Sequence, residues 1–494
     1  MYAVGARADE MPIDIPVDHD SRAKIIIPDK RKDRRKMFRR LPYVSVPGYA
    51  PICLDTNDPF TVECGFKKRL LRVVPEVDHL LLKRFKAFVQ DFCEKYIPKV
   101  DPMSFEDWLA STSYNDERKI ELRGVYDELK GQRPTMKRSR KVDSFVKSES
   151  YQEYKHARMI NSRCDEFKVY SGPCFKAIEK VVYELKYFIK HTPVADRPKF
   201  ITALKKDGLR YFVTDYTSFE ASFSVEFMRA CECVLYTHCL GEFHGDFIQG
   251  VLTGTNEMKT RSGVRARCKG RRMSGDTCTS LGNGFSNLML ALFFASEQGV
   301  ELNGFVEGDD GIFATDGDFV ADDYAKLGFI IKIQEVPDPC LASFCGLIFS
   351  DSEQIIRDPS RFIQKFGWTS SFIHGGDKLM KELLKAKALS ALFECPHCPI
   401  VSPLARYGLG KVMTSKARHV YDGYHEKTPD DFEIPQFAPT TSTRVAFEKM
   451  FGITIDTQLS VEKAISEGDM MQVSQLLPAS DHMLDFSLKY LEIA

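Results

Sequence analysis

Two adjacent aspartates near the middle of the chain are the strongest candidates for chemistry. Asp309 and Asp310 lie in the segment FVEGDDGIF at 305–313, where apolar runs flank a Gly-Asp-Asp tip. The pattern predicts a hairpin of two short buried strands, because its glycines give a tight turn the backbone freedom that it needs. Neighbouring carboxylates repel each other unless a cation lies between them, and divalent metals prefer such oxygen ligands on a rigid support. An ordinary solvated hairpin tip would show the same tripeptide, so other segments must decide.

A second pair of carboxylates follows an apolar run earlier in the chain. The β-branched and aromatic residues at 211–216 predict a strand with Asp215 near its end, and Glu220 falls in a helical turn that begins at about Phe219. A strand end and the helix start that follows it face the same crevice, where α/β folds place ligands. The alternative is that Asp215 only forms a turn.

A polar helix face precedes the Gly-Asp-Asp segment. Ser274 and Gly275 predict a flexible turn, and a long apolar helix follows it. Thr279 and Asn283 are four residues apart, so they project from one face of that helix. Polar groups at such positions are either satisfied core residues or hydrogen-bonding readers of a ligand.

Three basic stretches accompany these groups, at residues 30–40, 137–158 and 259–272. The first is a solvated arm or a segment for RNA contact or localisation. In the second, cations are spaced along strand-like segments, which suits a wall that faces a polyanion. The third is expected to be one glycine-containing loop. A solvated charged surface is the alternative for each stretch.

Composition sets broad limits on the class of protein. The chain has 494 residues, of which 43% are hydrophobic and 28% charged, and its formal net charge is zero. This length favours two to four lobes, and attraction to nucleic acid would have to come from local basic patches. The 14 scattered cysteines are expected to be reduced thiols. Cys395 and Cys398 have zinc-like spacing but no second pair, so buried thiols are the favoured interpretation over a metal site. No apolar run approaches the length of a membrane span.

Taken together, these features match the requirements of phosphoryl transfer with two metal ions. That reaction needs carboxylates that hold two cations roughly 4 Å apart. It also needs positive charge for a triphosphate, and a hydrogen-bonding pair that senses the 2′-hydroxyl if the substrate is a ribonucleotide.

In these motifs the chain resembles viral RNA-dependent RNA polymerases of positive-strand RNA viruses, most of all tombusvirus-like and nodavirus-like enzymes. Asp215-x4-Glu220 resembles motif A of that family, and Ser274-Gly275-x3-Thr279-x3-Asn283 matches motif B. Gly308-Asp309-Asp310 matches motif C, and the segment 344–349, expected to be one strand, resembles motif E. The resemblance covers about residues 140–350, and motif B is its most specific part.

The resemblance implies a role for each matching residue. The metal ligands would be Asp215, Asp309 and Asp310, with the backbone carbonyl of Tyr216 completing a shell around Mg²⁺, or Mn²⁺ as an alternative. Lys332, in the motif D region, would be a general acid for pyrophosphate. The nucleotide would be held by Lys147, Lys155 and Arg158 at its triphosphate and by Glu220, Ser274, Thr279 and Asn283 at its ribose. RNA would be bound by Lys137, Arg138, Arg265, Arg267 and Arg271.

The family fold is α+β, a right hand of fingers, palm and thumb whose antiparallel palm sheet is backed by helices. The boundaries expected here are an N-terminal extension and fingers at 1–205, palm at 206–240, a fingers insertion at 241–272, palm at 273–350, and thumb and C-terminal region at 351–494. The partners implied are template and nascent RNA, ribonucleoside triphosphates and other viral replication proteins, with membrane attachment only indirect. The expected location is the host cytoplasm, in membrane-associated replication complexes.

One position departs from the family pattern. The second acid of motif A is usually aspartate, whereas this chain has Glu220, which is longer by one methylene group. A longer side chain changes the sugar-selection geometry but leaves the metal ligands untouched. We expect Glu220→Asp to keep substantial activity and to change the ratio of ribonucleotide to deoxyribonucleotide use.

Three other classes of protein fit fewer of these features. A reverse transcriptase would share the metal aspartates but has no need for the Ser-Gly…Thr…Asn pattern. A non-enzymatic RNA-binding or capsid-associated protein would use the basic stretches but has no reason to place aspartates at strand ends. An NTPase or helicase would need a Gly-x4-Gly-Lys-Ser/Thr loop, which the sequence does not contain.

Overall fold

The computed structural model describes residues 1–11, 13, 23–28, 34–418, 420, 433–436 and 438–492. Helices and strands are interspersed along the chain, which confirms the α+β prediction. The strands are β1 (Tyr2–Val4), β2 (Lys24–Ile26), β3 (Met37–Arg40), β4 (Lys141–Val146), β5 (Met159–Arg163), β6 (Arg210–Tyr216), β7 (Thr255–Thr260), β8 (Arg265–Lys269), β9 (Asn303–Glu307), β10 (Asp310–Thr315), β11 (Ile331–Val336), β12 (Ser343–Phe344), β13 (Leu347–Phe349), β14 (Ile355–Ile356), β15 (Trp368–Thr369) and β16 (Leu491–Glu492).

The helices surround and connect these sheets. They are α1 (Pro59–Leu70), α2 (His79–Tyr96), α3 (Phe105–Ser111), α4 (Asp116–Leu129), α5 (Met136–Ser139), α6 (Asp165–Val182), α7 (Arg197–Thr202), α8 (Val225–Ala230), α9 (Glu232–Leu252), α10 (Thr279–Gln298), α11 (Ala321–Ala325), α12 (Pro359–Phe366), α13 (Asp377–Glu394), α14 (Val401–Lys411), α15 (Thr441–Phe451), α16 (Ile455–Glu467), α17 (Met470–Leu476) and α18 (Asp481–Tyr490). None of those in the described residues is long and apolar enough to cross a membrane.

The central sheet carries the aspartates, and its strands run in the order β11-β6-β10-β9. Every neighbouring pair in it is antiparallel, as predicted. Asp310 pairs with Glu307, so Gly308 and Asp309 alone form the turn between β9 and β10. Gly308 has φ +62°, a backbone conformation that side chains other than glycine rarely adopt. The predicted hairpin with Gly-Asp-Asp at its tip is therefore confirmed.

Both faces of the central sheet are buried, because successive residues of β10 enter different cores. Phe313 packs in a core with Phe285 and Leu288 of α10. Ile312 and Ala314 belong to the other core, which contains residues from the N-terminal segment and from the C-terminal helices. A hairpin held from both sides is a rigid support for the carboxylates at its tip.

A second sheet has the strand order β2-β8-β7-β4-β5, and its β4–β7 pair is parallel. The basic stretch at 259–272 contributes most of a hairpin to this sheet, so its prediction as one loop was wrong. In β8 the side chains alternate, with Arg265, Arg267 and Lys269 exposed and Ala266 and Cys268 buried. Alternation with period two is the pattern of a strand with one solvated face.

A third sheet brings the two ends of the described chain together. Its order is β15-β3-β1-β16, so the first strand lies between β3 and the last strand. The segment 344–349 forms β12 and β13 joined by Cys345 and Gly346, so the single predicted strand was also wrong. Cys345 has φ +55° and Gly346 has φ +76°, and two such residues make the tight reversal of a hairpin.

Candidate active site

Three carboxylates meet at one end of the central sheet. Asp215 is the penultimate residue of β6 and is exposed. Its neighbour Thr214 pairs with Gly311 of β10, which places Asp215 beside the start of β10, where Asp310 lies. Asp309 and Asp310 are half-buried in and beside the turn. The structure therefore brings together the three aspartates that the sequence proposed as metal ligands.

The two aspartates of the turn carry charge that is poorly compensated. Burial, together with the charges of Glu220 and Asp215, raises the pKa of Asp309 to about 6, against the opposing effect of Arg158. Burial and then Asp309 and Asp215 raise the pKa of Asp310 to about 7. Carboxylates that hold their protons this strongly favour a cation between them.

Asn287 of α10 holds the turn in place. Its Nδ2 donates to the carbonyl oxygens of Gly308 at 3.3 Å and of Asp310 at 3.1 Å. Its Oδ1 accepts from the hydroxyl of Tyr216 at 3.2 Å. Asn287 is buried and connects α10, the end of β6 and the turn. The sequence prediction missed it, although its position four residues after Asn283 places it on the same helix face.

The motif B residues are placed together but are differently engaged. The Ser274 hydroxyl donates to the carbonyl of Met159 at 2.9 Å. The Thr279 hydroxyl bonds the carbonyls of Met273 and Asp276 at 3.0 and 2.9 Å. Asn283 is buried, and its Oδ1 has no hydrogen-bond partner in the described structure. Their joint role in sensing ribose remains a prediction.

Buried ion pairs between side chains hold the loop that begins motif B. Arg163 of β5 donates from Nε to Asp276 at 3.0 Å, and each side chain is 1% exposed. The Gly275 amide donates to the carbonyl of Asn161 at 2.9 Å. Arg272, which the sequence predicts in a glycine-containing loop, is buried against Glu232 and lies over the ring of Phe223. These contacts fix the start of α10 against the edge strand of the second sheet.

Glu220 is held by a residue that the sequence prediction did not include. It lies in a short 3₁₀ turn at Phe219–Ser222 and forms an ion pair with Arg69 in the last turn of α1. Burial raises its pKa, but Arg69 and Arg158 outweigh this effect, and the pKa of Glu220 is lowered overall. No described hydrogen bond joins Glu220 to the side chain of Asn283.

A basic cluster lies beside these acids, formed by Lys68, Arg69, Arg72, Lys155 and Arg158. Burial, and then the charges of the other four residues, lower the pKa of Lys68. The charge of Arg158 also lowers the pKa of Asp309 and of Glu220, so the cluster borders the carboxylates. Such a group of cations suits a polyphosphate. Lys147 directly follows β4. Both it and Arg158 lie near the Glu149 carboxylate, with Lys147 Nζ at 3.6 Å and Arg158 Nε at 3.7 Å from its oxygens.

Comparison with known proteins agrees with this arrangement. Residues 182–370, which contain Asp215, Glu220, Asp309 and Asp310, match a family model described as "Viral RNA-dependent RNA polymerase". The chain is also 25% identical over 277 residues to the RNA-directed RNA polymerase of Groundnut rosette virus (strain MC1). That match covers 48% of this chain and 30% of the relative, so the chain spans less than a third of the length of that protein.

Residues 182–370 carry a viral RNA-dependent RNA polymerase domain. The resemblance seen in the motifs is thereby confirmed at the level of this family. The likeness to tombusvirus-like and nodavirus-like enzymes stays a prediction.

Two further predicted residues, Lys332 and Tyr216, lie next to Asp215. Lys332 of β11 pairs with Asp215, so its exposed side chain stands beside the carboxylates on the neighbouring strand. Tyr216 is buried, and its hydroxyl bonds Asn287. The assignments of Lys332 as general acid and of the Tyr216 carbonyl as a metal ligand stay predictions.

The predicted RNA-binding residues lie on β8, just after it and on α5, and their role in binding RNA stays a prediction. Arg265 and Arg267 lie on the exposed face of β8, whereas α1 packs with the buried face of that sheet. Arg271 follows the strand in a left-handed turn with φ +74°. Lys137 and Arg138 lie on the short helix α5, where Arg138 pairs with Glu166 at 2.8 Å. The first basic stretch lies partly outside the described residues, since Lys30 to Asp33 are not described.

The aspartates fit a divalent metal by their chemistry. Polymerases of this family generally use divalent metal ions, and carboxylate oxygens are the ligands that Mg²⁺ prefers. Burial and then the neighbouring carboxylates raise the pKa of Asp309 to about 6 and that of Asp310 to about 7, and a divalent cation would offset both effects. In the part of the chain that is described, no three Asp, Glu, His or Cys side chains already form a cluster able to hold a metal ion. The donors are therefore suitable but are not closed around a site.

Proposed function

We propose that the chain synthesises RNA on an RNA template from ribonucleoside triphosphates and so replicates and transcribes a viral RNA genome. The observation that carries this proposal is the meeting of Asp215, Asp309 and Asp310 beside the basic cluster, within residues that match the polymerase family. The acids suit metal ions and the cations suit a triphosphate, and the two groups lie side by side.

In the reaction, the 3′-hydroxyl of the growing RNA attacks the α-phosphorus of the incoming nucleotide. A new phosphodiester bond forms, the bond to pyrophosphate breaks, and the hydroxyl gives its proton to water. Arg158 and the rest of the basic cluster would bind and orient the triphosphate. Lys332, beside Asp215, would donate a proton to the departing pyrophosphate.

Asp215, Asp309 and Asp310 would hold the divalent ions, Mg²⁺ or Mn²⁺. When bound, such ions lower the pKa of the attacking hydroxyl and neutralise charge on the leaving group. The chain itself supplies a fixed turn: Asn287 and the two cores prevent the carboxylates from moving away from the end of the sheet.

The right-hand arrangement is part of the same proposal. The central sheet and α10 would form the palm, the second sheet would belong to the fingers, and the C-terminal helices would form the thumb. Template and nascent RNA and ribonucleotides would be the direct partners. Association with other viral replication proteins, in membrane-associated complexes of the host cytoplasm, rests on the family resemblance alone.

Primer extension tests the proposal. The full chain is given a short primed RNA template, four ribonucleotides and Mg²⁺ or Mn²⁺, and is compared with Asp309→Asn/Asp310→Asn. We expect extension by the unmodified chain and none by the variant. Asp316→Asn is the matched control, because Asp316 is exposed just beyond the other end of β10 and should extend normally. RNA binding without extension by the unmodified chain would contradict the proposal.

A further inference from the structure

Helix α1 is fixed close to the acids of the active site. Asp58 caps its first turn by accepting from the Thr61 amide at 2.9 Å, and the side chains of Phe66 and Leu70 are buried. The helix packs against β5 and against the 3₁₀ turn at Phe219–Ser222. A Cβ at Gly65 would lie 3.0 Å from the carbonyl oxygen of Ala157, so the glycine permits this close approach. The last turn of α1 is therefore held directly over Glu220.

Two arginines at this end of α1 bond the segment that follows β6. Arg69 Nη1 forms the ion pair with Glu220 Oε2, and the two side chains are 11% and 14% exposed. Arg72 Nη1 donates to the carbonyl of Thr217 at 2.6 Å. From the side of motif B, the amide of Arg272 donates to the Glu220 carbonyl at 3.4 Å. Both the backbone and the carboxylate of Glu220 are thus held in position.

The motif B residues do not hold this carboxylate. Ser274 and Thr279 use their hydroxyls on backbone carbonyls, and Asn283 has no described contact with Glu220. Arg69 Nε and, in motif B, Asn283 Oδ1 are both buried without a hydrogen-bond partner in the described structure. A donor and an acceptor left unpaired in this way are the kind of groups that a polar ligand satisfies.

We propose that Arg69 is a positioning residue for sugar selection, and that it holds the Glu220 carboxylate as the acceptor for the 2′-hydroxyl of the incoming ribonucleotide. The inference rests on the proposed polymerase function. It explains the departure from the family pattern, because the additional methylene of glutamate extends the carboxylate towards α1. A 2′-deoxynucleotide would make no hydrogen bond to the Glu220 carboxylate, and sites built around such a hydrogen bond reject analogues that lack it.

The test measures nucleotide binding without chemistry. The full chain is bound to an RNA template with a primer that lacks its 3′-hydroxyl, in the presence of Mg²⁺, and the Kd values for ATP and 2′-deoxy-ATP are measured. We expect the Kd for 2′-deoxy-ATP divided by the Kd for ATP to fall by about 10-fold to 100-fold in Arg69→Gln and in Glu220→Gln. This is the range for a hydrogen bond to a charged group. The double variant should lose no more discrimination between the two nucleotides than either single variant, because both changes remove the same interaction.

Two further variants separate sugar selection from charge and folding. Arg72→Gln removes a cation from the same helix end without touching the carboxylate, so it should weaken both nucleotides equally. Arg69→Lys keeps the charge but loses the planar guanidinium, and it should lose part of the discrimination. The primer-extension assay is run in parallel, so that loss of the proposed function is seen separately as lack of extension.

A Kd ratio in Arg69→Gln equal to that of the unmodified chain would overturn the inference. An unmodified chain that binds both nucleotides equally would also overturn it. Extension by the unmodified chain together with either result would leave the proposed function standing and remove only the role of Arg69.

Discussion

Asn287 gives the sharpest prediction, because one buried side chain connects the Gly-Asp-Asp turn to motif A. We expect Asn287→Leu to lower kcat by about 100-fold, since a displacement of the reacting groups by about 1 Å costs about that factor. The KM for the nucleotide should change little, because the described hydrogen bonds of Asn287 go to Tyr216, Gly308 and Asp310 and not to the basic cluster proposed to bind the triphosphate. Single-nucleotide extension over a range of nucleotide concentrations separates the two constants.

The structure also sets the cost in stability. Leucine would leave the Tyr216 hydroxyl buried without a partner, at about 1–3 kcal/mol, and would remove two bonds to carbonyls worth about 0.5–1.5 kcal/mol each. The carbonyls of the half-buried turn can bond water instead, so the free energy of unfolding should fall by about 2–3 kcal/mol. Chemical denaturation of the variant and the unmodified chain measures this difference.

Tyr216→Phe is the matched control for Asn287→Leu. It removes the hydroxyl but keeps both bonds from Asn287 to the turn, so kcat should fall by no more than about tenfold, equivalent to about 1.4 kcal/mol. If Asn287→Leu is folded and keeps the kcat of the unmodified chain, Asn287 does not position the turn. The same conclusion follows if Tyr216→Phe loses as much activity as Asn287→Leu.

Two other predictions concern RNA binding and pH. If Arg265 and Arg267 contact RNA phosphates, changing both to glutamine should make the slope of log affinity against log salt less steep by about 1.4, at about 0.7 per contact on a single strand. Arg84→Gln, at a site about as exposed as that of Arg267 and likewise paired with a glutamate, Glu297, should leave the slope unchanged. An unchanged slope in the double variant would make that face a solvated surface. Burial, and also the charge of Lys68, lower the pKa of His156 below its ordinary value of 6.5, despite its bond to the backbone. The folded state therefore favours neutral His156, and its contribution to stability should be complete above about pH 6.5 and decline below it. His156→Gln should flatten this decline in unfolding experiments between about pH 7.5 and pH 5.5, and a decline equal to that of the unmodified chain would refute the assignment.

Sequence patterns predicted the parts of the site whose geometry is local. The Gly-Asp-Asp hairpin follows from a glycine that accepts φ +62° between two apolar strands. Helix α10 follows from a long apolar stretch after Ser274 and Gly275. Asp215 follows from its place near the end of a strand of β-branched and aromatic residues. In each case neighbouring residues in the sequence are also neighbours in space, so spacing alone gives the geometry.

The predictions failed where the structure depends on an unusual backbone conformation, on an obscured pattern or on residues that are distant in the sequence. The break at Cys345 depends on a left-handed conformation, which non-glycine residues rarely adopt and which the sequence does not reveal. The sequence predicts a loop at 259–272 because the charges there obscure the alternation of β8. Lys68, Arg69 and Arg72 were missed because α1 is about 150 residues from motif A in the chain. Only the packing of α1 on β5 brings them to the acids.

The glutamate of motif A can be understood only together with α1. An aspartate at 220 would be shorter by one methylene group and would draw its carboxylate away from Arg69, leaving a buried guanidinium without its acid. Removing one partner of a buried ion pair is costly, whereas keeping both is close to neutral. Glu220 and Arg69 are therefore best regarded as one unit that joins α1 to the strand carrying Asp215. For this reason Glu220→Asp, although conservative by charge, should resemble Arg69→Gln in its sugar discrimination more closely than it resembles the unmodified chain.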